Sequence, residues 1–131
     1  MDASNGSVRQ VEDVRTERWD DPVRGRLGFR TLFSSEETGT STLTSGVAEL
    51  ERGGLLAAHR HTAAEVYLVL EGHGVVTLGD REQEVFAGSA VSIPSDLLHG
   101  IRNAGSETLR FFYVLAADGM DDVEYRFEDA G

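Results

Sequence analysis

Two short stretches of this 131-residue chain hold side chains suited to gripping a metal ion. In the first, His59 and His61 are separated by one residue and Glu65 follows after Thr62-Ala63-Ala64. Residues two apart on an extended strand share a face, with Cα atoms roughly 6.5 Å apart, so both imidazoles can reach one ion. Glu65 opens the otherwise apolar run Val66-Tyr67-Leu68-Val69-Leu70, where a carboxylate is costly to bury without a cation beside it. In the second stretch, His99 begins a new strand after the turn Pro94-Ser95-Asp96 and can bring a third imidazole across to the first two. Three imidazoles and one carboxylate favour a single divalent transition metal (Fe, Mn, Ni, Co, Cu or Zn) over Mg or Ca, and leave about one or two positions for water or substrate. An ion held this way can polarise a carboxylate or carbonyl, activate water or bind dioxygen. The fourth histidine, His73, falls in an expected turn and is read as solvated and outside the site.

Tyr67 lies two residues after Glu65, so a shared strand face would aim its hydroxyl at the same pocket. That makes it a candidate acid or base; the alternative is a core aromatic with a satisfied hydroxyl. A free phenol ionises near pH 10, but a neighbouring cation favours the phenolate. Tyr125 closes the pocket mouth if the C-terminal segment folds back; otherwise it is an amphipathic residue on a sheet edge.

The elements that must position these residues read as strands. Apolar and polar residues alternate in short runs broken by Gly, Asn, Asp and Ser, the spacing of an all-β sandwich or barrel. The expected strands are 8–14, 27–33, 42–50, 55–61, 65–70, 74–78, 84–86, 90–93, 99–103 and 108–115, with 123–127 as a last one. Glu71-Gly72-His73-Gly74, Gly79-Asp80 and Asn103-Ala104-Gly105 suit tight hairpins, so the sheet should be mainly antiparallel. One barrel over 25–117 is expected, after an N-terminal segment (1–24), partly disordered and available as an edge strand. An acidic segment (118–131) follows, packed across the barrel or solvated.

Composition narrows the function classes. The absence of cysteine excludes thiolate metal sites, disulfides and a Cys nucleophile. A formal charge of −11 repels a phosphate backbone, so nucleic acid is a poor partner. All basic residues are arginine, which removes Schiff-base chemistry and the P-loop lysine. No run approaches the roughly 18 apolar residues of a membrane span, and the polar start lacks the apolar stretch of a signal peptide. A cytoplasmic protein acting on a small molecule is the expectation.

Both histidine-bearing stretches carry a family resemblance. Gly53, His59, His61, Glu65 and Gly72 fit the cupin pattern G-x5-H-x-H-x3-E-x6-G, and Gly88, Pro94, His99 and Asn103 fit G-x5-P-x-G-x2-H-x3-N. Asp96 stands where that pattern has glycine; Asp tolerates left-handed backbone better than most residues. The resemblance implies an antiparallel double-stranded β-helix, a jelly-roll barrel with one divalent metal inside, often a homodimer. Ala64-Glu65-Val66-Tyr67 and Val123-Glu124-Tyr125 also resemble the small cupin-type dimethylsulfoniopropionate lyases. By that resemblance the metal holds the substrate carboxylate, Tyr67 removes the adjacent proton, Tyr125 assists, and dimethyl sulfide leaves with acrylate as co-product. An Fe(II) dioxygenase and a metal-dependent isomerase or epimerase use the same ligands, and a non-catalytic metal- or sugar-binding module needs no catalytic group.

Overall fold

A computed structural model describes residues 6–127. In chain order the strands are β1 (Glu17–Asp21), β2 (Gly25–Phe33), β3 (Thr44–Leu50), β4 (Leu55–Arg60), β5 (Glu65–Glu71), β6 (His73–Leu78), β7 (Arg81–Phe86), β8 (Ala90–Ile93), β9 (His99–Asn103), β10 (Leu109–Leu115) and β11 (Arg126–Phe127). All pairings are antiparallel. The sheet runs β7-β6-β9-β4-β2-β3-β10-β5-β8, with β1 added to β2 and β11 to β4. It curls on itself: Val76, Val85 and Ile101 from one end share a core with Tyr67, Val69, Val91 and Phe111 from the other. The fold is the all-β, antiparallel barrel that the alternation implies.

The alternation is clearest on the strands that carry the site. On β10, Leu109, Phe111, Tyr113 and Leu115 face inward, while Arg110, Phe112 and Val114 face out. On β5, Glu65, Tyr67 and Val69 are buried, whereas Val66, Leu68 and Leu70 are exposed. The turns use the expected chemistry. Gly72 has φ +94°, and a Cβ there would lie 2.6 Å from the Thr108 carbonyl oxygen, so only glycine suits that corner. Asp96 takes the left-handed conformation, φ 63°, in place of glycine.

Three expectations need correction. Residues 8–14 are not a strand: Val11–Asp13 form a 3-10 turn. Val11 and Val14 pack on Leu32 and Val47 outside the barrel. The alternation there arises because valines three apart on a tight turn share one face. The actual first strand is β1, whose charged-looking sequence Glu-Arg-Trp-Asp-Asp conceals an edge position on β2. A one-turn helix, α1 (Ser35–Thr38), also interrupts the β pattern. Ser34 caps it by accepting a hydrogen bond from the Glu37 amide, and Gly39 ends it in left-handed geometry. Finally, His73 starts β6 rather than lying in a turn; it is half-buried, with its ring stacked on Phe86 at 4.6 Å.

Candidate metal centre

His59 is the last inward-facing residue of β4 and pairs directly with His99 at the start of β9. A register shift between Leu56 and His59 bends β4 there. Gly100 lets the strands approach, since a Cβ at that position would meet the Leu56 carbonyl oxygen at 2.9 Å. His61 lies just past β4, held where the Asp96 amide donates to its carbonyl (2.9 Å). Glu65 opens β5 between Leu115 of β10 and Ile93 of β8. All four side chains are buried, the histidines at 1% exposure or less. The ligating nitrogens of His59, His61 and His99 lie within 4.8 Å of one another.

Each imidazole is fixed in the same way. The Nδ1 atoms of His59, His61 and His99 lie 2.8 Å from the backbone oxygens of Ala57, Ala63 and Leu97. A carbonyl oxygen only accepts, so each Nδ1 carries a proton and Nε2 is the atom left to face the other rings. The Glu65 Oε1 atom then lies 3.2 Å from His61 Nε2 and 3.3 Å from His99 Nε2. Contacts this short call for a positive charge between carboxylate and ring, either a proton on Nε2 or a metal ion. Consistently, His99 Nε2 has no hydrogen-bond partner. Burial, reinforced by the neighbouring His99, lowers the His59 pKa to about 4, so that ring is neutral and ligand-ready near pH 7. Burial works against ionisation of Glu65, but the His61 and His99 imidazoles beside it outweigh burial and hold its carboxyl below the ordinary range. Three imidazole nitrogens and one carboxylate, converging on one point, fit a divalent transition metal.

Beside this cluster lies a small cavity of about 40 Å³, lined by His59, Glu65, Tyr67, Tyr113, Tyr125 and by apolar side chains that include Trp19, Phe29, Phe111 and Met120. Tyr67 faces it from β5 with its hydroxyl buried and unpaired. In the metal-free protein, burial and the Glu65 charge push its phenol well above the ordinary value. The C-terminal segment folds across the barrel as far as Phe127, the last described residue. Its start is tied to the region of α1, the Ser35 and Thr42 amides donating to Asp118 oxygens at 2.7 Å. At its end β11 pairs with β4, setting Phe127 opposite His59, and the Tyr125 and Phe127 rings lie 5.3 and 5.1 Å from the His59 ring. Tyr125 is thus a lid residue over the imidazoles, and burial raises its phenol too. Asp96 has a part in this closure: its carboxylate pairs with Arg126 of β11, and Arg60 donates to its backbone oxygen.

Residues 46–115 match the cupin domain family. The chain is a cupin. It is 41% identical over 117 residues to the dimethylsulfoniopropionate lyase DddW of Ruegeria pomeroyi, covering 89% of this chain and 76% of that protein. It is 31% identical to the polyketide synthase CurC of Streptomyces cyaneus over 88% of this chain and 73% of that one. The polyketide cyclase RemF of Streptomyces resistomycificus shares the fold with a TM-score of 0.81 at 24% identity, over 95% of this chain and 87% of that one. The relatives of this cupin thus include enzymes.

Within the cupin motifs, His59, His61, Glu65 and His99 converge as the spacing implies, and Asn103 has a different task. Its side chain donates to the Leu50 and Glu107 carbonyls and accepts from the Gly105 amide, each at 2.8 Å, so it clamps a turn. His73 sits at the far end of β6 from Leu78, the residue that pairs with His99, and contacts Glu84 instead. Sequence reasoning missed Trp19 and Tyr113. Trp19 was masked by the charges around it; Tyr113, in Phe-Phe-Tyr-Val, reads as ordinary core. No helix among the described residues is long and apolar enough to cross a membrane.

Proposed function

We propose that this cupin is a metal-dependent lyase acting on a small carboxylate, with dimethylsulfoniopropionate as the leading substrate. One observation carries the reading: a buried, unpaired Tyr67 hydroxyl faces the same cavity as a ready-made ligand cluster, in a chain related to a lyase. His59, His61, Glu65 and His99 are the ligands. A divalent transition metal bound there would supply a positive charge that orients the substrate carboxylate and favours the ionised form of a nearby phenol.

Tyr67 as phenolate takes the proton from the carbon next to the carboxylate. The freed electron pair forms the carbon–carbon double bond, the carbon–sulfur bond breaks, and dimethyl sulfide departs with its bonding pair, leaving acrylate. Tyr125, on the strap over His59, assists from the opposite side and helps exclude water. The protein acts in the cytoplasm as a homodimer. Val66, Leu68 and Leu70, between 41% and 50% exposed on the outer face of β5, support a subunit contact there.

The test is dimethyl sulfide release from dimethylsulfoniopropionate by the metal-loaded protein, with and without oxygen. Equal rates in air and under nitrogen are expected. Consumption of substrate only in air favours the Fe(II) dioxygenase reading. Proton exchange without elimination favours an isomerase or epimerase, and tight carboxylate binding with no turnover makes the protein a binding module.

A further inference from the structure

Tyr113 occupies an unusual place in the barrel. It faces inward from β10, in register with Tyr67 of β5 on one side and Gly46 of β3 on the other. It is 95% buried by its 5% exposure, lines the cavity, and its hydroxyl has no hydrogen-bond partner among the described residues. Thr31 stands nearby, close enough to ease ionisation of the phenol but outside hydrogen-bond geometry, and its own hydroxyl donates to the Glu17 carboxylate at 3.4 Å. A buried hydroxyl left unpaired destabilises the fold, and a phenylalanine would avoid that cost at nearly the same volume.

Gly46 points the same way. Glycine inside a central strand weakens it, and Gly46 is not among the residues with positive φ that would require glycine. A Cβ there would collide with the Arg30 carbonyl oxygen and lie 2.5 Å from the Tyr113 hydroxyl and 2.7 Å from Cζ, so glycine serves both the close backbone and the phenol. The missing side chain is the berth for the phenol head. The hydroxyl is thus lodged at the cavity wall, where no atom of the described residues makes a hydrogen bond to it. Buried groups that break the rule of hydrogen-bond satisfaction mark sites where a ligand supplies the partner.

We propose that the Tyr113 hydroxyl is a substrate-binding donor, giving a hydrogen bond to an oxygen of a small carboxylate held in the cavity and so fixing its orientation beside Tyr67. Burial keeps the phenol protonated and therefore a donor. The inference rests on the reading of this cavity as the substrate site, but not on which reaction occurs there. Its natural ligands are short carboxylates, because a donor on one wall and a cation on the other together saturate both oxygens of such a group.

The test compares wild type with Tyr113→Phe, both with the metal they carry on purification, using propionate as a non-reacting probe. Three quantities are read: the propionate Kd by calorimetry, metal content, and the melting temperature without ligand. The expected result is a Kd raised roughly tenfold, in line with loss of one hydrogen bond to a charged group. Metal content should be unchanged and the melting temperature equal or higher, because an unsatisfied hydroxyl has been removed. If the lyase reaction is present, KM should rise by a similar factor with kcat changed less than about threefold. A lower melting temperature with unchanged propionate affinity would mean that the hydroxyl serves the fold, and overturns the proposal. So does a wild-type protein that binds no propionate. Absence of dimethyl sulfide release with the expected shift in propionate affinity overturns the lyase reading alone.

Discussion

On the β4–β9 side of the cavity, every polar ring is tied down. Each imidazole donates through Nδ1 to a carbonyl two residues away along the chain. On the β5–β10 side, Tyr67 and Tyr113 are also buried, yet their hydroxyls have no hydrogen-bond partner among the described residues. The first arrangement sets tautomer and aim before any ligand arrives, as a metal centre requires. The second leaves donors free to bond to whatever enters. Their difference teaches that pre-organisation here is divided: the imidazoles are fixed by the backbone, and the phenols are fixed by packing alone.

The contrast breaks most sharply at the ligands. His59→Ala, His61→Ala, Glu65→Ala and His99→Ala should each drop metal below about one tenth of an equivalent per chain, with activity reduced at least about a hundredfold. His73→Ala should leave both unchanged, because that ring stacks on Phe86 and meets Glu84 away from the site. Elemental analysis of the purified variants decides; metal loss in His73→Ala would contradict this division of the histidines. On the phenol side, Tyr67→Phe should retain metal and lose on the order of a hundredfold in kcat, as expected of a general base. An unchanged kcat would remove Tyr67 from the chemistry.

The two sides were unequally legible in the sequence, for a physical reason. His59, His61 and Glu65 lie close together in sequence where β4 hands over to β5, and His99 pairs with His59 across adjacent strands, so local spacing encodes their convergence. Tyr113 acquires meaning only through Gly46, its neighbour on β3 and 67 positions earlier in the chain; no short motif records that contact. The fold followed the same rule. Strands with period-two burial such as β5 and β10 were readable, whereas β1 was hidden by charges at an edge and Val11 and Val14 mimicked a strand while forming a turn. The C-terminal segment's placement was open from composition; pairing of β11 with β4 settles it.

A pH measurement sharpens the imidazole side. Burial depresses the His59 pKa from 6.5 to about 4, so in that window the unfolded chain binds more protons than the folded one. Stability of the metal-free protein should therefore be full above about pH 6.5 and fall as pH drops toward 4, by up to about 3 kcal/mol. Glu65, whose pKa is lowered, adds a further loss only as pH falls below its ordinary value of 4.5. Urea unfolding across this range checks the sign, and His59→Gln should flatten the slope between pH 6.5 and 4. A wild-type profile already flat there would argue against a neutral, buried ring.

The smallest effect is expected at the strap. Asp96 and Arg126 are about half exposed, so Asp96→Asn, which suits the left-handed backbone at that position, should cost no more than about 1 kcal/mol of stability. Loosening β11 over the cavity should nevertheless raise KM a few-fold, with metal content unchanged. Steady-state kinetics beside a melting curve separates the two; an unchanged KM would show that the ion pair does not hold the lid.

X-ray absorption on protein loaded with one equivalent of a divalent transition metal tests the centre most directly. Three imidazole nitrogens with carboxylate or water oxygens should surround the ion, and one imidazole should vanish from the spectrum in His99→Gln. A shell of oxygens without imidazole scattering, or a spectrum indifferent to that substitution, would contradict it.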